Sequence, residues 1–371
     1  MKIVIFIYRS QNPPSTFINQ HIDNIAGGYN NFMQLFNWNT PMIGNNALWG
    51  VSLFSRIIRK IRIKLGNKIS DFHVKAFKKG IKKVKADVVL AEFAYSGAHI
   101  WKVCKDLNIP LIVHTHGTDV NRRSIVDRYL TDYRKMFDYA KQLIAVSEND
   151  KRRLIEMGAE SDKIHVIPCG AIFPSHYRKK IRNSGNFNII SVTRMAEKKA
   201  PHLIILSFYK YLELGGTGCL HMVGDGPLLP ICKTLAISLK LLEKIIFYGN
   251  LSHEKVLHLY EKSHMYVQHS VIAEDGDCEG MPVSIMEAAG YGIPIVVTRH
   301  PGIDEIIDNN INGYLVDEYD IEKMAYFMHK IWLNKDHAEK LGKAAFELAK
   351  QKFDAKIQAG KVKEICVNAC K

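Results

Sequence analysis

One segment near the C-terminal end of the chain constrains the fold most: a helix-forming run followed at once by a buried strand. Pro282 suits the first turn of a helix, and residues 283–289 favour a helix that stops at Gly290. Residues 293–298, IPIVVT, are apolar and β-branched, as in a strand buried on both faces. A second helix-forming segment follows Gly302. This alternation predicts an α/β fold with a doubly wound sheet, whose ligands bind at the carboxyl ends of strands beside helix N-termini.

Two carboxylates, Glu279 and Glu287, lie eight positions apart around this helix start. Met281, at the expected N-cap, has no side-chain oxygen, so the first-turn amides of Val283 and Ser284 would suit an external anion such as a diphosphate. Eight residues at about 1.5 Å each span roughly 12 Å, comparable to the separation of sugar and ribose across a pyrophosphate. We therefore predict that Glu279 binds sugar hydroxyls and Glu287 ribose hydroxyls. Taken alone, such a pair would more often be solvated, so this prediction depends on the surrounding pattern.

The chain resembles the retaining glycosyltransferases of family 4, which have the GT-B fold and a Glu-x7-Glu signature. The resemblance implies two Rossmann-like, doubly wound domains that face each other across a cleft, with the active site between them. The segments that carry it, besides 279–287, are SVTRMAEKK at 191–199, VGDGPL at 223–228, FYGN at 247–250, 267–270, GYLV at 313–316, and more loosely STFI at 15–18 and HGTD at 116–119.

The resemblance also implies roles for single residues. Arg194 and Lys199 would neutralise the diphosphate as it leaves, although both could instead be surface charges after a strand. Ala200 stands where the family usually has Gly, which could tilt this loop. His116 and Glu279 would be catalytic, with His116 facing the donor sugar. His114 is the alternative candidate for the role of His116. The implied donor-binding residues are Gly280, Met281, Pro282, Val283, Ser284, Glu287, Gly224, Asn250 and Leu251, and those on the acceptor side are Ser15, Thr16 and Asp119.

The resemblance therefore implies a retaining transferase that moves a hexose from a nucleotide diphosphate sugar to a bacterial glycan. A UDP-sugar is favoured and a GDP-sugar is the alternative, and the acceptor would be a lipid-linked or growing surface polysaccharide. We assign no nucleophile and no general base. Two other functions remain open: a GT-B nucleotide-sugar enzyme that does not act on a glycan, such as an epimerase or sucrose-type synthase, and a non-catalytic module that binds nucleotide sugars.

The length of 371 residues fits two domains better than one core. A polar, turn-rich stretch at 171–186 predicts the linker between an acceptor-binding domain, 1–170, and a donor domain, 187–352. By the family resemblance, residues 353–371 would form a helix that crosses back to the first domain. The seven cysteines include no Cys-x2-Cys pair, which favours reduced thiols, and no motif calls for a metal or another cofactor because Arg194 and Lys199 supply the positive charge.

The formal net charge of +14 is concentrated between residues 56 and 85, which hold 12 Lys or Arg against one Asp. Apolar residues recur every four positions from Trp49, a pattern typical of an amphipathic helix on a membrane surface. Nucleic-acid binding and a merely solvated basic face are the alternatives, and no nucleic-acid motif accompanies the charge. Without an 18-residue apolar run, we expect a cytoplasmic protein, peripheral at the inner face of the plasma membrane. The predicted membrane surface comprises Trp49, Leu53, Arg56, Arg59, Lys60 and Lys64.

Overall fold

Largely parallel β-sheets organise both parts of the chain. The computed structural model describes residues 1–8, 16–36, 40–48, 69–179 and 187–371. The first of two units combines Met1–Cys169 with Ala355–Lys371, and the second is Gly170–Asp354. Ser15, the six residues of the predicted membrane surface and residues 180–186 of the expected linker lie outside the described residues.

The first unit is built on an eight-stranded sheet with the order β4-β3-β2-β1-β5-β6-β7-β8. The pairs β2–β3 and β3–β4 are antiparallel, and the other pairs are parallel. Its strands are β1 (Ile3–Ile7), β2 (Phe32–Phe36), β3 (Thr40–Ile43), β4 (Asn46–Ala47), β5 (Val88–Glu92), β6 (Leu111–His114), β7 (Gln142–Ala145) and β8 (Ile164–Val166). The helices between them are α1 (Thr16–Asn24), α2 (Ile69–Val84), α3 (Ala94–Leu107), α4 (Thr118–Asn121), α5 (Arg123–Tyr139) and α6 (Glu148–Glu156).

The central strand β1 shows why this sheet has two covered faces. Its side chains alternate, so Val4 and Phe6 join the apolar core on one face, while Ile3, Ile5 and Ile7 join the core on the other. All five are buried. A strand buried on both faces must be apolar throughout, as β1 is.

The second unit has a six-stranded parallel sheet with the order β11-β10-β9-β12-β13-β14. Its strands are β9 (Asn188–Val192), β10 (Cys219–Val223), β11 (Ile245–Gly249), β12 (Met265–Gln268), β13 (Ile295–Thr298) and β14 (Gly313–Val316). The helices that follow are α7 (Pro201–Glu213), α8 (Leu229–Ser238), α9 (His253–Lys262), α10 (Val283–Gly290), α11 (Ile321–Leu333) and α12 (Lys335–Lys352). The prediction of Rossmann-like, doubly wound α/β units is confirmed.

The strand order reverses beside the first strand of each sheet, between β1 and β5 and between β9 and β12. In open parallel sheets ligands bind outside the carboxyl ends of strands at such a reversal. The polar residues that follow these strands are therefore the candidates for function.

Residues after α12 return to the first unit. Helix α13 (Ala355–Asn368) packs against α1. Ile18 and Ile22 of α1 share one buried apolar cluster with Val362 and Cys366 of α13. This helix therefore covers part of one face of the first sheet.

Residues 171–179, the described part of the expected linker, belong to the second unit. The amide of Ala171 donates a hydrogen bond to the Phe353 carbonyl, with an N–O distance of 2.7 Å. The ring of Tyr177 packs on that of Phe346, with centroids 5.8 Å apart. Across the described part of the chain, no helix is both long enough and apolar enough to span a bilayer.

Candidate active site

Helix α10 begins with an end that no side chain caps. Pro282 has φ −66° and ψ 119°. The prediction that Pro282 occupies the first helical position and Met281 the N-cap was therefore wrong by one residue, because this extended ψ makes Pro282 the N-cap. Gly290 is the last helical residue rather than the stop after it. Since Pro282 has no side-chain acceptor, the amides of Val283 and Ser284 remain suited to an external anion.

Glu279 and Lys199 form a buried ion pair beside this helix start. The distance from Lys199 Nζ to Glu279 Oε2 is 2.8 Å, and the two side chains are 14% and 5% exposed. Burial alone would raise the pKa of Glu279, but the charges of Lys199 and Lys198 hold it below its ordinary value. Burial also lowers the pKa of Lys199, an effect that Glu279 only partly offsets. The other carboxylate oxygen, Glu279 Oε1, is buried and has no hydrogen-bond partner within the described residues.

A second ion pair ties the segment before Glu279 to the same turn. Lys198 Nζ lies 2.9 Å from Asp277 Oδ1 and 3.3 Å from the Cys278 carbonyl oxygen. The turn ends at Ala200, which is buried and has φ 33° and ψ 52°. This left-handed backbone favours glycine, so Ala200 retains the turn at a conformational cost of about 1 kcal/mol. Arg194, at the start of the loop, is exposed.

Two glycines bring neighbouring backbone segments into direct contact at the strand ends. A Cβ at Gly224, where φ is 127°, would overlap the Thr193 carbonyl, so the Gly-Asp-Gly turn lies directly against the segment that leads to Arg194. A Cβ at Gly302 would overlap the Gly280 carbonyl oxygen, so the loop after β13 packs on the residue next to Glu279. The first contact fixes the backbone next to Arg194, and the second fixes the backbone next to Glu279.

Glu287 lies within α10 and is nearly buried. Its Oε1 is 2.7 Å from His253 Nε2, and this hydrogen bond raises the pKa of His253 above its ordinary value, although burial opposes the effect. Ser284 Oγ accepts a hydrogen bond from the Tyr266 hydroxyl, with an O–O distance of 3.0 Å. Of the predicted nucleobase-side residues, Asn250 is exposed and Leu251 half-buried. The structure thus brings Glu279, Lys199 and the start of α10 together in the second unit.

His116, in the first unit, belongs to a buried polar cluster. Its Nε2 is 2.7 Å from Glu92 Oε2 and its Nδ1 is 3.3 Å from Cys169 Sγ. Glu92 Oε1 is 2.7 Å from His21 Nδ1. Burial alone would raise the pKa of Glu92, but His21 and His116 hold it well below its ordinary value. His114 Nδ1 lies 3.7 Å from Glu92 Oε2, and burial lowers the pKa of His114.

Asp119 holds the loop that carries His116. Its Oδ1 accepts a hydrogen bond from the His116 amide at 2.8 Å, and its Oδ2 accepts one from the Ala94 amide at 2.5 Å. Asp119 is fully buried, and burial raises its pKa above its ordinary value. Of the other predicted acceptor-side residues, Thr16 is the first residue of α1 and is half-buried.

Three members of the His116 cluster were not predicted from the sequence: His21, Glu92 and Cys169. Glu92 carried a usable signal, because it directly follows the apolar run 88–91 and therefore ends a buried strand of a doubly wound sheet. His21 and Cys169 carried none, since they lie 71 residues before and 77 residues after Glu92, respectively, along the sequence.

Family models match most of the chain. The model described as Glycosyl transferases group 1 matches residues 174–348, and the model described as Glycosyltransferase Family 4 matches residues 48–171. The chain belongs to the group 1 and family 4 glycosyltransferases. Family membership agrees with the Glu-x7-Glu spacing, the Gly-Asp-Gly turn and the Arg-Lys loop.

Two curated glycosyltransferases illustrate the relationship. The amylovoran biosynthesis glycosyltransferase AmsK of Erwinia amylovora is 31% identical over 254 residues, which cover 67% of this chain and 62% of AmsK. An Escherichia coli protein named UDP-Gal:alpha-D-GlcNAc-diphosphoundecaprenol alpha-1,3-galactosyltransferase is 26% identical over 265 residues, which cover 65% of each chain. The matched region thus spans somewhat less than two thirds of the length of these glycosyltransferases.

Solved structures agree on the fold. The crystal structure of Anabaena Alr3699/HepE in complex with UDP aligns over 99% of this chain and 100% of its own, with a TM-score of 0.74 and 16% sequence identity. At this identity the likeness shows the fold alone. It places this family 4 chain among glycosyltransferases of the GT-B fold.

Proposed function

We propose that the protein is a retaining hexosyltransferase that uses a nucleotide diphosphate sugar. The observation that carries this proposal is the unpartnered oxygen of Glu279. Lys199 holds Oε2, while the buried Oε1 has no hydrogen-bond partner within the described residues. A buried acceptor without a donor is costly, and a sugar hydroxyl would satisfy it. The uncapped start of α10 lies two residues beyond Gly280, where a diphosphate would meet backbone amides.

A UDP-sugar is the favoured donor and a GDP-sugar the alternative. HepE, which has the same fold, was solved with UDP and with UDP-glucose, and the name of the Escherichia coli relative states a UDP-galactose donor. In this proposal Glu287 binds the ribose hydroxyls. Gly224, Asn250 and Leu251 lie on the nucleotide side of the site.

Charge stabilisation of the leaving diphosphate is the proposed source of catalysis. Arg194 is exposed, and its planar guanidinium would bind two phosphate oxygens at once. Lys199 would supply a compact charge next to the sugar-binding carboxylate. We propose no metal cofactor for this step. His116 would face the donor sugar with both of its ring nitrogens already in contact with protein neighbours, Glu92 and Cys169.

The proposed acceptor is a lipid-linked or growing bacterial surface polysaccharide. The Escherichia coli relative is named for a diphosphoundecaprenol acceptor, and AmsK for amylovoran biosynthesis. A peripheral position on an anionic membrane fits the basic region that ends in α2. Each basic side chain close to such a surface contributes up to about 1 kcal/mol. The exposed lysines of the described part of this region are Lys75, Lys79, Lys82, Lys83 and Lys85.

Nucleotide binding is the first test. In thermal-shift measurements with UDP, GDP, ADP and CMP, a 100-fold excess over the dissociation constant should add about 2.7 kcal/mol of apparent stability. UDP should stabilise the protein selectively. Stabilisation by none of the four would contradict the donor site.

Turnover separates the three candidate functions. With UDP-sugars, the transferase should release UDP only when a glycan acceptor is present, and NMR of the product should show the donor's anomeric configuration. An epimerase or sucrose-type synthase would react without a glycan, and a binding module would bind the donor without turnover. Glu279→Gln should reduce turnover at least tenfold, whereas Glu274→Gln on the same loop, exposed and not assigned to the donor, should leave it nearly unchanged.

Vesicle binding tests the proposed membrane surface. The protein should sediment with anionic vesicles at low salt but not with neutral ones, and Lys82→Glu combined with Lys83→Glu should weaken this binding. Lys233→Glu, an exposed charge reversal in the second unit, is the matched control. Equal binding to anionic and neutral vesicles would contradict the proposal.

A further inference from the structure

The buried cluster around His116 contains five side chains of types that bind metals, and the hydrogen bonds among them do not satisfy all of their polar atoms. His21 comes from α1, Glu92 ends β5, His114 ends β6, and His116 and Cys169 come from later loops. All five side chains are almost inaccessible to solvent. Three imidazoles, a thiol and a carboxylate in one buried place are costly unless their polar atoms have partners.

Hydrogen bonds satisfy only part of this cluster. Glu92 uses one oxygen for His21 and the other for His116, each at 2.7 Å. Neither ring nitrogen of His114 has a hydrogen-bond partner within the described residues, although the Ile167 backbone lies nearby. A neutral imidazole has one unprotonated nitrogen, so at least one buried lone pair in His114 needs a partner. A bound ion is one explanation for such an atom.

The positions of His114, His116 and Cys169 suit a metal ion. One nitrogen of each histidine and the Cys169 sulfur all lie within 4.8 Å of one another. His116 Nδ1 and Cys169 Sγ are 3.3 Å apart. Tetrahedral zinc with bonds of about 2.0 Å to nitrogen and 2.3 Å to sulfur would place these two atoms roughly 3.5 Å apart.

The surroundings of His116 resemble the outer shell of a metal site. A histidine that binds a metal through one nitrogen usually donates its other N–H to a carboxylate, which fixes the ring. His116 does this through Nε2 to Glu92, and this leaves Nδ1 directed at Cys169. Glu92 is held in turn by His21.

We propose that His114, His116 and Cys169 bind one divalent zinc-type ion in the first unit. Two imidazoles and a thiolate are the ligands that such a borderline-soft ion prefers, and they do not suit magnesium or calcium. On binding, the Cys169 thiol loses its proton to solvent as the sulfur–metal bond forms. The thiolate and the Glu92 carboxylate then balance the two positive charges of the ion. Three protein ligands leave a fourth position for water or another oxygen ligand.

Apart from His116, which the proposed function places at the donor sugar and this proposal makes a metal ligand, the residues of the proposed donor site belong to the second unit. No metal or other cofactor was expected from the sequence, so this proposal departs from that expectation. The cysteine spacing gave no signal, because the sulfur ligand lies 53 residues from the nearer histidine.

Cobalt substitution tests the proposal without any assay of transfer. Untagged full-length protein, stripped with a chelator and dialysed, is titrated with Co²⁺ under reducing conditions. We expect a thiolate-to-cobalt charge-transfer band and tetrahedral visible bands that saturate at one equivalent, and that Zn²⁺ abolishes. Cys169→Ser should remove the charge-transfer band, and Cys219→Ser, a partly exposed thiol of the second unit, should retain it.

Further variants locate the other ligands. His114→Gln should weaken Co²⁺ binding at least tenfold, and Glu92→Gln should weaken it about 10- to 100-fold through loss of the outer-shell carboxylate. Circular dichroism checks that each variant is folded. If the folded wild-type protein shows no charge-transfer band with excess Co²⁺, or if Cys169→Ser retains the band, the proposal is wrong. The wild-type titration decides the question even if a variant does not fold.

Discussion

Lys199→Met removes the cation of the buried ion pair and leaves Glu279 without its closest partner. The pair is short, with 2.8 Å between Lys199 Nζ and Glu279 Oε2, and both side chains are largely shielded from water. Removing one member of such a buried pair costs about 3 to 5 kcal/mol, because the remaining charge stays buried and uncompensated. Lys198 still lowers the pKa of Glu279, so we expect a loss near the lower end, about 3 kcal/mol at pH 7.

The pH dependence of this loss identifies its cause. In the wild-type protein the pKa of Glu279 is below its ordinary value, so the ionised carboxylate contributes stability above about pH 4.3, and this contribution is lost as the pH falls through the folded-state pKa. In Lys199→Met the pKa of Glu279 should rise because burial then dominates. The difference in unfolding free energy between wild type and variant should therefore shrink between pH 7 and pH 4.

Hydrogen exchange read by mass spectrometry suits this measurement, because it reports the opening free energy of second-unit peptides separately from those of the first unit. The double variant Lys199→Met, Glu279→Gln should recover much of the loss, since it removes both charges. Lys198→Met is the matched control and should cost less, because Lys198 and its partner are more exposed. A loss below about 0.5 kcal/mol at pH 7, or one that does not change with pH, would refute the reasoning.

Three further predictions concern single positions. The pKa of His253 is raised by Glu287, so their ion pair stabilises the fold below about pH 6.5, and this stabilisation is lost as the pH rises through the folded-state pKa. The loss of unfolding free energy in His253→Gln, measured by urea unfolding, should therefore shrink from about pH 6 to about pH 9. A loss that stays constant over this range would contradict the prediction. Gly302→Ala should lower the unfolding free energy by more than about 3 kcal/mol or prevent folding, because the added Cβ has no space. Gly360→Ala in α13, where a Cβ would meet nothing within 4 Å, should raise the unfolding free energy by up to about 1 kcal/mol. Equal melting temperatures for the two variants would be inconsistent with the packing. Ala200→Gly should raise the unfolding free energy by up to about 1 kcal/mol by relieving a left-handed backbone, and a lower melting temperature would show that the turn is not strained.

The sequence predicted what depends on local pattern. Strand β13 and helix α10 follow from apolar periodicity and from Pro282, and the error at the helix start was one residue. Proline is favoured at the first helical position, which is why the pattern placed Pro282 one residue too far into the helix. The doubly wound fold follows from the same alternation, since buried parallel strands must be apolar throughout.

The sequence did not predict which polar groups pair with each other. Lys199 and Glu279 were each assigned to a different part of the donor, yet they form an ion pair across 80 residues of sequence. Glu92 joins His21 and His116 in the same way, from separate segments. Such pairings depend on how strands are ordered in the sheet, and neither residue type nor spacing carries that information.

The position of α13 has a consequence for biosynthesis and for protein engineering. The first unit needs residues 355–371 to cover Ile18 and Ile22, and the ribosome makes these residues only after the whole second unit. The second unit can therefore complete its core first. Until residues 355–371 are made, the first unit has an exposed apolar face, which chaperones can bind. For the same reason, a chimera that exchanges residues 1–169 between relatives should also exchange the matching segment of α13. Otherwise α1 and α13 will come from different proteins and their buried side chains will not match.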